Sequence, residues 1–484
     1  MEAGLPADAR MPQMTLRRTD PAPAIGIVHL GLGAFFRAHG AIYIEEAMAA
    51  SGGDWGILGV SLQRPDIRDA LQPQDGLYTA LELGPQGETT RIVTSVTGVL
   101  VAPENPQAVL EAMADPGVRI VSLTVTEKGY CHEPATGRLD DRHPDVIHDL
   151  TNPLPRSAIG FLVRALDRRR GAGLRPFTVL TCDNLPGNGH LLRGLVLDFA
   201  RRIDPVLARW IEDEVRFPAT MVDRIVPATT PEVMARVATL TGMADRAPVQ
   251  HEPFRQWVVE DSFVDGQRPD LAAVGVELVA DVTAHEIMKL RMLNGTHSSL
   301  AYLGYLAGHE TIADTVADPV FARFVSNLWT REIIPAIAAP TGVNLHSYAD
   351  RLFERYRNPG IRHRTWQIAM DGSQKLPQRI LGTLAENQAA GRESPGLILA
   401  VAAWMRYVGG VDEWGQPIDV RDPMSARLRA AHASHDTPEG LVAALLGLRE
   451  IFPEALSQTL GPQITTAYKA LVNKGARRTI EELA

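Results

Sequence analysis

The chain has 484 residues, enough for two or three domains with sizeable cores. Its 45% hydrophobic and 22% charged residues are those of a globular protein, and a net charge of -9 argues against a general nucleic-acid or anionic-membrane binder. Two cysteines, Cys131 and Cys182, exclude a disulfide framework and a cysteine-rich zinc site and fit a reducing cytoplasm. There is no signal-peptide pattern, no apolar run long enough to span a bilayer, and no short repeat.

Residues 1–24 lack periodicity and read as a loose leader. Ile25–Leu30 is a short apolar run, the pattern of a buried parallel strand. It runs into Gly31-Leu32-Gly33-Ala34-Phe35-Phe36-Arg37, and a helix is predicted over Ala38–Ala50. Strand, glycine turn and helix are the context of a dinucleotide-binding fingerprint. Gly31 permits a tight turn, and Gly33 lets the backbone approach a pyrophosphate. Phe36 stands where the third glycine usually is, so a purely structural turn is an equal reading. The next strand, Trp55–Leu62, is followed by Arg64 and Asp66. Asp66 is the candidate for the adenosine ribose of NAD, while Arg64 keeps a 2′-phosphate open.

Further β/α signals follow: a strand or hairpin over Arg91–Val101, a helix over Pro106–Ala114, a strand over Arg119–Thr126, a helix over Ala158–Arg170 and a strand over Phe177–Cys182. Ligands sit at the carboxyl ends of such strands. Thr126 and Asn184 lie there, although Asp183-Asn184 ahead of Pro186-Gly187 is also an ordinary turn sequence. A long helix is predicted over Leu191–Asp213. Asp223, beside Arg224, either accepts from a substrate hydroxyl or pairs with an arginine. Strands at Gln256–Glu260 and Glu277–Val282 close this region.

From His285 the pattern turns helical, with helices predicted over Ala313–Ala339, Leu345–Arg355, Thr365–Leu384, Pro395–Val408, Met424–Ala433, Pro438–Leu448 and Pro462–Leu471. Gly409–Pro423 is turn-rich and reads as a surface excursion. The expected organisation is α/β: a Rossmann-type domain over 25–282 and a predominantly α-helical domain over 283–484, with the active site at their junction.

The segment His285–Gly308 opens the helical half. Lys289, Asn294 and His297 interrupt its apolar residues. At about 100° per residue, Asn294 lies roughly 140° and His297 roughly 80° around an α-helix from Lys289, on one broad side. Buried polar groups need partners, and burial lowers a lysine's pKa towards the range of proton transfer. A snorkelling lysine, a helix stop at Asn294-Gly295 and a core histidine are the bland alternatives.

Five blocks taken together resemble the mannitol dehydrogenase family. They are Gly31-x-Gly33-x-Phe35-x-Arg37-Ala38-His39, Thr124-x-Thr126-Glu127-Lys128-Gly129-Tyr130, Cys182-Asp183-Asn184, Phe217-Pro218-x-x-Met221-Val222-Asp223-Arg224, and Lys289-x-x-x-x-Asn294-Gly295-x-His297. The match runs from Ile25 to the C-terminus. The segments Ser122–Cys131, Pro253–Val258, Met288–Gly295 and Arg362–Arg379 resemble the fructuronate reductase branch of that family. Gln367 stands where mannitol-specific members resemble one another in an arginine, which counts against mannitol.

The resemblance implies a zinc-independent, NAD-dependent enzyme interconverting D-fructuronate and D-mannonate. It implies Lys289 as general acid in reduction, Asn184 and Asn294 as donors to the developing alkoxide, and His297 and Asp223 as substrate-hydroxyl contacts. It implies Glu286 as a proton-relay carboxylate, which is equally an i,i+3 helical partner of Lys289. Gly31, Gly33, Phe35, Arg37, Asp66 and Thr126 are then the cofactor-binding set. A uronate carboxylate calls for a cation, and Arg362, Arg364 and Lys375 are the candidates beside the plain reading of a basic surface run. The expected partner is a small sugar acid or polyol, with no metal, nucleic acid or membrane, and a monomer or weak homo-oligomer. A polyol dehydrogenase, a tagaturonate reductase and a non-catalytic nucleotide or sugar sensor are the alternatives.

Overall fold

The computed structural model describes residues 14–133 and 136–483. The chain divides into two compact units, Met1–Thr283 and Ala284–Ala484.

The first unit is built on five parallel strands in the order Val96–Val101, Gly56–Ser61, Ile25–Leu30, Ile120–Leu123, Thr178–Thr181. Parallel neighbours require crossovers, and helices Gly40–Ser51, Pro106–Ala114 and Ala158–Gly171 supply three of them. Alternating residues of each strand feed two cores. Val28, Leu30, Val121 and Leu123 pack with Ile159, Leu162 and Leu166. Ile27, Ile57 and Ile120 pack with Ile42, Tyr43 and Ile44. Burial on both faces explains why these strands read as continuous apolar runs.

Three expectations for this unit are corrected. The region around Arg91–Val101 is two strands in different sheets: Gly87–Val93 pairs antiparallel with Tyr78–Gly84, and Val96–Val101 joins the parallel sheet. The Glu45 carboxylate makes the turn between them, accepting from the Ser95 N–H and the Thr94 hydroxyl at 3.0 Å each. The helix expected over Leu191–Asp213 is two, Asn188–Ile203 and Pro205–Glu214. Pro205 cannot donate, and Asp204 caps the second helix at the Val206 N–H, 2.8 Å away. The leader is not loose throughout. Its residues 1–13 lie outside the described residues, but Leu16 is buried and the Arg18 N–H donates to Asp75 at 3.1 Å.

The second unit is helical. Pro395–Tyr407 is buried nearly all round and packs against Thr296–Leu306 and Glu454–Lys474. Here too the expected long helices are broken. Ala313–Ala339 resolves into Ile312–Ala317, Pro319–Asn327, a π-helical Leu328–Ile333 and a short 3-10 turn, with Asp318 capping ahead of Pro319. Thr365–Leu384 is interrupted at Asp371, whose φ of 56° is left-handed, and continues as Gly372–Leu376, a π-helical Pro377–Leu381 and Gly382–Ala389. Conversely, Glu454–Lys474 runs through Pro462, which lies on its exposed side. Gly409–Pro423 is the expected excursion, turned by Asp412, which accepts from the Trp414 and Gln416 N–H groups. Among the described residues no helix is long and apolar enough to cross a membrane.

Candidate active site

In the first unit a cleft of about 1180 Å³ opens at the carboxyl ends of the parallel strands. It lies where the strand order reverses, between Ile25–Leu30 and Ile120–Leu123, the expected place for a nucleotide. Gly31 and Gly33 line it, with Arg64, Asp66, Thr126 and Lys128. Gly31 has φ 86°, and a Cβ there would meet the Thr124 carbonyl at 2.1 Å, so only glycine fits. At Gly33 the nearest atom to such a Cβ is 3.9 Å away, which leaves the backbone open to a ligand. These features fit a dinucleotide. Asp66 is exposed and paired with Arg64 at 3.3 Å.

Two members of the predicted cofactor set are placed elsewhere. Arg37 is 6% exposed; it donates to the Ala247 carbonyl at 2.5 Å and lies over the Tyr78 ring. Phe35 stacks on His39 at 5.1 Å between ring centroids. Neither lines the cleft. The chain breaks at His39 between two helices, Ala34–Ala38 and Gly40–Ser51, in place of the one helix expected over Ala38–Ala50. Phe36 occupies the missing third-glycine position by stacking on His29 at 3.4 Å. The small residue moves on to Gly40, where a Cβ would meet the Phe36 ring at 2.5 Å.

Asp183 holds the Val125 and Thr126 backbone that lines the cleft, a role that sequence reasoning missed. It is buried and accepts from the Val125 and Thr126 N–H groups at 3.0 Å each and from the Tyr130 hydroxyl at 2.9 Å. Burial pushes its carboxyl above the usual range, against those three donors. Its bonds secure Thr126 at φ 62°, a conformation that a β-branched residue seldom adopts. Asn184, next in the chain, is exposed at the end of Thr178–Thr181. Asp223 is buried at the end of Thr220–Asp223, opposite Gln256. Arg224 donates to the Ala38 and Glu252 carbonyls and lies 3.7 Å from Glu82.

In the second unit Lys289–Gly295 is a seven-residue π-helix between helices Thr283–Met288 and Thr296–Leu306. Bonding i→i+5 makes residues five apart neighbours along the axis. Lys289 and Asn294 are such a pair, in place of the 140° separation that α-helical spacing predicts. The wide turn is buttressed. The Trp329 N–H donates to the Met292 carbonyl at 2.9 Å, and the Tyr356 hydroxyl to the Leu293 carbonyl at 3.0 Å. Gly295 lets the chain at Arg379 come close: a Cβ there would lie 2.6 Å from the Arg379 carbonyl. Lys289 is 8% and His297 7% exposed, whereas Glu286 and Asn294 are half-buried.

His297 stacks on Tyr356 at 5.3 Å and meets the edge of His363 at 4.5 Å. Burial first, and then His363, Arg379, Arg355 and Lys375, hold its pKa well below the ordinary value. It is therefore a neutral imidazole, fit to hydrogen-bond a hydroxyl. His363, Arg379 and Tyr356 were not anticipated, because their partners are remote in sequence. Lys375 is half-buried and donates to the Met370 carbonyl at 2.6 Å and the Ile368 carbonyl at 3.2 Å; burial pushes its pKa down to about 8. Arg362 and Arg364 are exposed and both pair with Glu310, at 3.2 and 3.4 Å. Among the described residues no group of three or more His, Cys, Asp or Glu is arranged to hold a metal ion.

Comparison with known proteins agrees with both halves. The mannitol dehydrogenase Rossmann domain matches residues 25–273, and the mannitol dehydrogenase C-terminal domain matches residues 281–472. D-mannonate oxidoreductase of Escherichia coli (strain K12) is 49% identical over 94% of this chain and 95% of its own length. The mannitol 2-dehydrogenase of Pseudomonas fluorescens, solved as a ternary complex with NAD and D-mannitol, superposes with a TM-score of 0.83 at 37% identity, covering 95% of this chain and 94% of that one. A substrate-free D-sorbitol dehydrogenase gives a TM-score of 0.89 at 34% identity, with 97% and 98% covered. The chain belongs to the mannitol dehydrogenase family and is an oxidoreductase acting on the CH–OH groups of sugar acids or polyols.

Proposed function

We propose that the protein is an NAD-dependent reductase that interconverts D-fructuronate and D-mannonate. The observation that carries the reading is the 49% identity, over nearly the whole of both chains, to a D-mannonate oxidoreductase. The basic Arg379 and Lys375 near His297 support it, since a uronate carries a carboxylate that a cation can bind.

When bound, the reduced nicotinamide supplies the hydride. The protein's part is to bind the sugar acid, orient its ketone and provide the proton. In the proposal Lys289 protonates the oxygen in reduction and takes the proton in oxidation. Asn294, one π-turn along the axis, donates to the developing alkoxide, as does Asn184. Neutral His297 and Asp223 hold substrate hydroxyls, and Glu286 relays the proton. The two buried, unbridged cysteines suit the reducing cytoplasm in which we place the enzyme, as a monomer or weak homo-oligomer.

A polyol dehydrogenase is the second reading, favoured by the TM-score of 0.89 to the D-sorbitol enzyme. Following NADH oxidation with D-fructuronate, D-tagaturonate and D-fructose at equal concentration separates the two. Preference for fructuronate is expected. Preference for fructose transfers the assignment to the polyols, and preference for tagaturonate transfers it to the epimeric uronate.

A further inference from the structure

In the second unit basic side chains gather near His297. His363, Arg379, Arg355 and Lys375 all act on His297, and each disfavours its protonation. Those acting on Lys375 are Arg379, which opposes its charge, and Asp371 and Asp422, which favour it. Asp422 is already engaged: its carboxylate accepts from the Ser373 N–H at 2.8 Å, the Ser373 hydroxyl at 2.6 Å and the Met424 N–H at 2.8 Å. Asp371 is exposed.

Arg379 is a further cation of this group. It is part-buried, and one guanidinium nitrogen donates to Ser298 Oγ at 3.1 Å. Among the described residues it forms no ion pair with a carboxylate. A guanidinium has five N–H donors, so its fork retains capacity for a planar anion. Burying such a group without a counter-charge is costly unless a ligand brings one. Its position is set from two sides. Its backbone carbonyl lies against Gly295, and its side chain is tied to the residue after His297. Both anchors belong to the stretch that carries Lys289, Asn294 and His297.

Arg362 and Arg364 do not compete for this role, because they share Glu310 in solvent. Lys375 spends two donors on the Ile368 and Met370 carbonyls.

We propose that Arg379 binds the carboxylate of the substrate and thereby sets the preference for a sugar acid over a neutral sugar. The proposal rests on the hexuronate reading above. Two of the three cations named from sequence are thus replaced by one that sits four residues beyond the third. Lys375 adds field to the site, and Arg379 supplies the directional contact.

The test is steady-state reduction of D-fructuronate and of D-fructose by wild type, Arg379→Gln and Arg379→Lys, with the NADH dissociation constant and the melting temperature measured alongside. Glutamine keeps the backbone contact with Gly295 and part of the stem. Arg379→Gln is expected to raise KM for fructuronate about 100-fold, the order expected when a charge-assisted hydrogen bond is lost. Its kcat, its use of fructose and its NADH affinity should change little, and Arg379→Lys should recover part of the loss. A wild type active on fructuronate with an unchanged KM in Arg379→Gln overturns the role of Arg379 alone. An equal loss on both sugars also overturns it, in favour of a packing role against Gly295. A wild type that reduces fructose and no hexuronate overturns the hexuronate reading and this inference with it.

Discussion

Lys289 and Asn294 stand one π-turn apart, the first and sixth residues of a run bonded i→i+5. In an α-helix the same two residues would point well away from each other. Bonding i→i+5 widens the helix and makes a lysine and an amide neighbours along the axis, a device common at functional sites.

The first prediction follows from that alignment. Lys289→Ala should lower kcat for ketone reduction by about a thousandfold, within the range of general acid–base catalysis. NADH binding, followed by fluorescence titration, should be retained. Turnover at wild-type level would move the proton donor to another residue.

Gly295→Ala tests the packing beneath the turn. The added methyl lies 2.6 Å from the Arg379 carbonyl, so backbone must shift. A loss of about 1–3 kcal/mol is expected from such overpacking. Chemical denaturation reads this loss, and kcat should fall with it because Asn294 and His297 flank the site. A neutral substitution would show that the π-turn yields freely.

Glu332 makes a pH prediction. It is 5% exposed, and burial raises its pKa to about 7 although the Gly396 and Leu397 N–H groups bond its carboxylate. A folded-state pKa raised above the unfolded one means that the native protein binds the proton more tightly. Stability from this group is therefore present below the unfolded value of 4.5 and is lost as pH rises towards about 7, by up to roughly 3 kcal/mol. Urea midpoints of wild type should fall between pH 5 and pH 8 more than those of Glu332→Gln. Parallel pH profiles would show that Glu332 does not titrate in this window.

Asp66 and Arg64 lie exposed in the cleft as a pair at 3.3 Å. If Asp66 is the ribose acceptor, as proposed, Asp66→Ala removes it and releases the arginine for a 2′-phosphate. The ratio of kcat/KM for NADPH over NADH should rise about tenfold or more, an estimate based on one charged hydrogen bond. A constant ratio would place cofactor discrimination elsewhere.

The sequence alone determined the Rossmann-type half and the helical half, because apolar runs of strand length and of helical period are local signals. It determined the glycine turn as well: Gly31 and Gly33 line the cleft, and at Gly31 only a residue without Cβ survives 2.1 Å from the Thr124 carbonyl. Helix lengths were misjudged where Pro205, Pro319 and Asp371 break a continuing pattern, since amphipathic periodicity carries on across a capped break. What only the tertiary structure decided rests on residues far apart in the chain. Arg37 is claimed by Ala247 and Tyr78, and Arg362 and Arg364 by Glu310, so a basic residue's place in a motif did not reveal its partner. The π-turn at Lys289–Gly295 has no local periodicity of its own. It is held by Trp329, Tyr356 and the backbone of Arg379, each brought to it by packing of the helical unit.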